Sequence, residues 1–204
     1  MRPSKSDFTF QKIHSLLGVI PVGGYLFVHF LINYQATRGE DSFNQTVKIV
    51  ESFPFLLFLE ATLIYLPILY HAIYGLYIAF KSKHNIKNYS YFRNQMFFAQ
   101  RITGIITFIF IVWHVWETRV QYALGHVELD YKMMANIFEN PFMVVFYLVG
   151  TISAIFHFSN GLWSFFVHWG ITISPKSQNL MTWISLFIFF MMTYMAIRTM
   201  VAFI

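Results

Sequence analysis

Along this chain the apolar residues neither alternate with polar ones nor recur as a single stripe. They gather into five long runs separated by polar segments: Ser15 to Gln35, Phe55 to Phe80, Phe97 to Arg119, Phe142 to Trp169 and Leu180 to Ala202. About 20 such residues cross the hydrocarbon as a helix, whereas a barrel strand alternates over about 10. Lipid offers no partner to an open backbone, so each run reads as a helix. The predicted fold is all-α: a single membrane domain over residues 1–204, built as a bundle of five transmembrane helices. Gly18, Gly23, Gly24, Gly75, Gly104, Gly150 and Gly161 fall inside the runs. Small residues let helices approach closely in lipid, so they do not weaken the prediction. The first run opens after residue 12, continues to about residue 36 and lacks a short small-residue cleavage site, so no cleavable signal peptide is expected.

Composition supports the same class. Hydrophobic residues make up 57% of the chain and charged ones 11%, against about 25% charged in a soluble domain. So few charges cannot cover a water-facing surface. Five crossings put the termini on opposite sides. One side holds Arg2, Lys5, Lys12, Lys81, Lys83, Lys87, Arg93, Arg101 and Lys176; the other holds Arg38, Lys48, Arg119, Lys132 and Arg198. The positive-inside rule then predicts a cytoplasmic N-terminus. The acids agree, since Asp7 alone falls inside while Glu40, Asp41, Glu51, Glu60, Glu117, Glu128, Asp130 and Glu139 lie at or toward the outer side. Topology therefore accounts for the net charge of +5, and no nucleic-acid partner is expected. The polar, basic loop from Lys81 to Gln95 reads either as a stop-transfer flank or as part of a docking face for a soluble partner.

The chemistry lies in the histidines. His29, His71, His114 and His157 each sit inside a different apolar run. An imidazole among membrane helices needs a partner, and a metal or haem iron suits all four. At about 1.5 Å of rise per residue, His29 and His114 lie about 6 and 9 Å to the outer side of their helix midpoints. His71 and His157 lie about 4–5 Å to the inner side. Chain direction alternates, yet the four sort into an outer and an inner pair. Two imidazoles from facing helices can ligate one haem iron from both sides. Two such haems would have irons roughly 10–15 Å apart in depth. With both axial positions closed, the irons would carry electrons and not bind oxygen. Zinc or non-haem iron prefers three or four ligands at one level. The competing interpretation makes these histidines helix-to-helix hydrogen-bonding groups in a haem-free anchor or transporter.

Secondary candidates surround the pairs. Lys12, Arg93 and Arg101, with Ser15, Tyr74 and Ser159, are inner candidates for the haem propionates; Arg38, Arg119 and Tyr34 are outer ones. Each basic residue also reads as a topology anchor. His14 and His168 read as interfacial histidines or as groups near a propionate or a proton route; His84 and His126 carry no assignment. The absence of cysteine excludes disulfides, iron–sulfur clusters held by this chain and covalent c-type haem. No flavin or nicotinamide fingerprint is present. Electrons must therefore come from a partner or a lipid-soluble carrier, for which a quinone is the natural choice. Trp113, Trp116, Glu117 and Tyr34 are the candidate quinone pocket, with Glu117 as proton relay and an ordinary aromatic belt as the alternative.

"FTFQKIHSLLG", "YLFVHFLINY" at His29, "LYHAIYGLY" at His71, "FIVWHVWETR" at His114 and "ISAIFHFSNGLW" at His157 form an ordered set over essentially the whole chain. In it the chain closely resembles the cytochrome b558 anchor subunits of succinate dehydrogenase, of the single-chain, five-helix, two-haem kind found in Bacillus-like bacteria. The resemblance implies a subunit of the bacterial cell membrane, assembled with a flavoprotein subunit holding covalent FAD and with an iron–sulfur subunit. It implies two haem b groups, the inner of high potential on His71 and His157, the outer of low potential on His29 and His114. Succinate would be oxidised in the cytoplasm and menaquinone reduced. In such proteins the histidine matching His14 is important without being established as an axial ligand. The related quinol:fumarate reductase anchors share the plan and run electrons the other way.

Overall fold

Three of the five helices, the first, third and fifth, outrun the apolar runs that specify them, while the second and fourth match theirs to within one residue. Five are long and apolar enough to cross a membrane: Asp7–Arg38, Leu56–Lys81, Phe92–Ala123, Pro141–His168 and Pro175–Phe203. The computed structural model describes residues 5–82 and 85–204, with side chains from Asp7 onward; Arg2, Lys83 and His84 fall outside the described residues.

Local sequence sets the breaks and ends of these helices. Pro21 has no N–H, and the first span divides there into Lys5–Val19 and Pro21–Asn33. Two widened π turns interrupt the next spans, Ala61–Tyr65 just before Pro67 and Trp116–Val120 just after His114. The extra residue in such a turn accommodates the proline in the first case and re-aims the side chains that follow in the second. The fourth span starts at Pro141, with the Asn140 side chain accepting from Phe142 N at 3.0 Å. The fifth starts at Pro175 behind a reciprocal Ser174–Ser177 capping box. At Gly39 the backbone takes φ +105°, which a residue with a Cβ rarely adopts, and the chain leaves the first span there.

The first four spans form a four-helix bundle in chain order around a ring. Third and fourth pack most extensively, then first against second and fourth against first, with the second and third touching over a shorter length. Among the described residues the diagonals, first with third and second with fourth, have at most marginal close backbone approach. The fifth span packs on the fourth and reaches the end of the first. The fourth span is thus the centre of the molecule, with Ile155 wholly buried against Phe30, Met192 and Ala196. Few residues of the second and third spans are fully buried, and many of their apolar side chains are exposed, as in lipid-facing helices.

Two segments read from sequence as loops contain helices, Glu40–Glu51 and Tyr131–Phe138. Both cap the end of the bundle opposite the N-terminus. Phe43, Met134 and Phe138 insert there beside Tyr147, Met200 and Phe203. Asp130 caps the second of them by accepting from Met133 N at 2.8 Å.

Candidate functional site: two histidine pairs across the bundle

The space along the two diagonals is where the imidazoles meet. The rings of His71 (second span) and His157 (fourth) lie 6.1 Å apart, nearly perpendicular at 83°. Those of His29 (first) and His114 (third) lie 5.9 Å apart at 76°. The first pair is nearer the N-terminal end of the bundle, the second nearer the opposite end. No group of three or more His, Cys, Asp or Glu side chains among the described residues is placed to hold a metal ion, so each centre has two imidazole donors and no carboxylate.

Hydrogen bonds fix the protonated ring nitrogen in three of the four histidines. His71 Nδ1 lies 2.9 Å from the carbonyl of His14, and His157 Nδ1 lies 3.0 Å from the carbonyl of Gln100. A carbonyl only accepts, so in both rings Nδ1 carries the proton and Nε2 presents its lone pair. At the other pair, Tyr147 donates its hydroxyl proton to Glu117 at 2.9 Å, and its oxygen stands 3.3 Å from His114 Nδ1. His114 is therefore the donor, again leaving Nε2 free. His29 is held more loosely: Tyr25 Oη is 3.4 Å from its Nδ1, and Asn33 Nδ2, which donates to its carbonyl at 2.8 Å, also stands 3.4 Å from its Nε2.

Absent side chains make room for the rings. A Cβ added at Gly18 would collide with the His71 ring, and one at Gly104 would stand 2.9 Å from Cε1 of His157. At the other level Phe110 stacks on His114 at 5.5 Å and 20°, and its own ring occupies the gap at Gly150.

The His14 side chain turns into the bundle. Its ring stacks on that of His71 at 4.1 Å and 4°, and its Nδ1 is buried with no hydrogen-bond partner among the described residues. Tyr74 lies beside it, 5.7 Å away. His168 is exposed, next to Phe8.

The candidate propionate groups are mostly engaged elsewhere. Lys12 lies over the Trp169 ring at 4.5 Å, while Ser15 accepts from the Trp169 indole at 3.0 Å and donates to the Lys12 carbonyl. Arg93 stacks on Trp163 at 3.8 Å and donates to Thr182, on the flank between the third, fourth and fifth spans. That flank opens as a cleft of ≈ 430 Å³ lined by Arg93, Trp163, Gln178, Asn179, Thr182 and Trp183. Arg101 covers the Phe97 ring at 3.9 Å, and Ser159 is buried with its hydroxyl unpartnered. Arg38 is exposed. Arg119 instead bonds Glu60 across the second and third spans, at 2.8 and 3.2 Å, with Glu51 3.9 Å away.

Trp113 and Trp116 face outward, 46% and 51% exposed, while Glu117 turns inward to Tyr147. The structure does not gather the two indoles with the carboxylate. Gln100, Tyr147 and the pairing of Arg119 with Glu60 were not singled out from the sequence. An ionisable side chain within an apolar run is a functional signal by itself, and it marked Glu60 and Arg119. Nothing in a single sequence marks Gln100 or Tyr147.

Five apolar helices, four of them in a ring with imidazole pairs across both diagonals, define a membrane bundle able to grip a planar group between facing helices. Residues 83–196, more than half of the chain, match the family described as succinate dehydrogenase/fumarate reductase transmembrane subunit. Over 198 residues the chain is 51% identical to the succinate dehydrogenase cytochrome b558 subunit of Bacillus subtilis (strain 168), covering 97% of its own length and 98% of that relative. The chain belongs to this family of transmembrane subunits and is a multi-pass protein of the bacterial plasma membrane.

Proposed function

We propose that the chain is the two-haem b-type cytochrome anchor of a succinate dehydrogenase, passing electrons from a cytoplasmic iron–sulfur subunit to menaquinone. His71 and His157 would hold the inner haem and His29 and His114 the outer one. The observation that carries this reading is the spacing of the two imidazole pairs across the diagonals. Two imidazoles on one metal, with bonds of about 2 Å, have ring centres roughly 6 Å apart, and the pairs stand at 6.1 and 5.9 Å. Gly18 and Gly104, which make room for the His71 and His157 rings, also fit imidazoles positioned to hold a group between the helices. When bound, haem b supplies one-electron redox chemistry at each centre.

The rest of the mechanism belongs to side chains. The carbonyls of His14 and Gln100 keep Nδ1 of the inner rings protonated, which fixes ring orientation and makes Nε2 the stronger donor. Phe110, packed into Gly150, shields the His114 face from water. Reducing menaquinone to menaquinol takes up two protons along with two electrons. Glu117 Oε2, bonded to Tyr147 Oη beside His114, is placed to hold one of them near the outer pair. The excess of Lys and Arg at the N-terminal end supports a cytoplasmic N-terminus, with the flavoprotein and iron–sulfur subunits docking on that face.

A reduced-minus-oxidised spectrum and a haem assay of the purified complex test the reading. Two b haems per chain are expected, and a haem-free preparation would leave only an anchor or transporter. The matched family spans both reaction directions, so succinate:quinone and quinol:fumarate turnover of the same preparation decide between them. Dominant fumarate reduction would reverse the proposed direction.

A further inference from the structure

The carbonyl that holds each inner histidine has the same neighbour. His71 Nδ1 donates to the carbonyl of His14, and four residues on stands Gly18. His157 Nδ1 donates to the carbonyl of Gln100, and four residues on stands Gly104. A helical carbonyl at i already accepts from the N–H of i+4. Its second lone pair lies beside the side chain of i+4, so a glycine there lets an imidazole ring close onto it. Gly18 and Gly104 are where an added Cβ would strike those two rings.

The relation runs both ways. Gly75 stands four residues after His71 and faces the His14 ring, whose Cε1 would lie 3.1 Å from an added Cβ. Gly161 stands four residues after His157 and faces Gln100 Nε2 at 3.2 Å. That amide donates to the carbonyl of His157 at 2.9 Å. The residue before each of these glycines touches the same partner: Tyr74 lies against His14, and Asn160 donates to Gln100 Oε1 at 2.7 Å. In the chain, "HSLLG" with "HAIYGL" corresponds to "QRITG" with "HFSNGL".

We propose that the bundle is an internal repeat, first and second spans matched to third and fourth. His14 and Gln100 are then equivalent positioning residues for the inner haem, and neither is an iron ligand. The inference rests on the haem assignment of the inner pair. Each residue lends its backbone carbonyl to the axial histidine of the next helix and lays its side chain into that helix's glycine gap. The His14 imidazole adds no hydrogen bond of its own through its buried Nδ1, so an amide in its place serves as well, as Gln100 does in the second half.

Exchange of the two side chains in the assembled complex tests this, read by haem per chain and by the midpoint potential and ferric resonance of the inner haem. His14→Gln is expected to keep two haems per chain with the inner potential unchanged. Gln100→Leu, which frees the His157 carbonyl and Asn160, is expected to shift the inner potential at full haem content, and Gln100→His to restore it. Gly104→Ala should leave one haem per chain, with the outer spectral component intact. Loss of the inner haem alone in His14→Gln overturns the proposal, because His14 is then irreplaceable. So does an unshifted potential in Gln100→Leu or full haem in Gly104→Ala. Should His14→Gln fail to assemble, the Gln100 series decides on the other half. Absence of haem from the unsubstituted complex would instead defeat the haem assignment, a result distinct from all of these.

Discussion

At His71 and His157 the nitrogen that matters is the one without a hydrogen bond. Each ring is pinned at Nδ1 to a carbonyl of a neighbouring span, which leaves Nε2 unprotonated, and the two ring centres stand 6.1 Å apart across the bundle. His71→Ala and His157→Ala should each remove the inner haem first, read as loss of one component of the difference spectrum; loss of the outer component alone would break the assignment. At the other level, Tyr147→Phe removes the proton that Glu117 receives. We expect quinone reduction to fall by about 10²-fold, the lower end for a lost acid–base contact, while succinate still reduces the haems. Undiminished quinone turnover would remove Tyr147 from the proton route. The histidines were legible because an ionisable ring in an apolar run is costly and so informative. Gln100 was not, because a glutamine beside Arg101 at the edge of a run looks like ordinary interfacial polarity.

At the scale of the helix, irregularity falls close to the site. The break at Pro21 separates the His14–Gly18 segment from His29, and the π turn after His114 contains Glu117. The other π turn begins next to Glu60, whose carboxylate ties the second span to Arg119 of the third. The pair is partly exposed, 24% and 16%. Arg119→Ala should therefore cost more than the ~1 kcal/mol of an exposed pair and less than the ~3–5 kcal/mol of a buried one. Thermal loss of haem absorbance reads this, and a double change with Glu60→Gln should be less than additive; full additivity would mean the two are uncoupled. Asp130→Ala removes the cap of the Tyr131–Phe138 helix at about 1 kcal/mol. That short helix and its partner at Glu40–Glu51 were read as loops, because two or three apolar anchors such as Phe43, Met134 and Phe138 make too brief a pattern to separate from a polar connection.

For the whole molecule, the ring of four helices keeps its diagonal partners apart in backbone, and the fifth helix braces the ring through the fourth span. A bundle whose diagonals are filled by haem should depend on it, since a ligand that binds only the folded state stabilises that state by mass action. Chain made without haem is expected to show reduced assembly with the flavoprotein and iron–sulfur subunits, measured by co-purification; equal recovery would show that the bundle closes unaided. A reporter fused to the N-terminus should be cytoplasmic and one at the C-terminus external, as the segregation of Lys and Arg requires.

Residue order alone determined the membrane class, the five long helices and the two levels of His29, His71, His114 and His157, because depth is the count of residues along an axis at a fixed rise. What each side chain faces was decided only by packing. Rotation about a helix axis depends on neighbours, so only the folded bundle turns Glu117 inward and Trp113 and Trp116 outward, and draws Arg93 onto Trp163. The hydrogen bonds from His71 to residue 14 and from His157 to residue 100 are of the same kind, joining atoms on separate helices 57 positions apart in the chain.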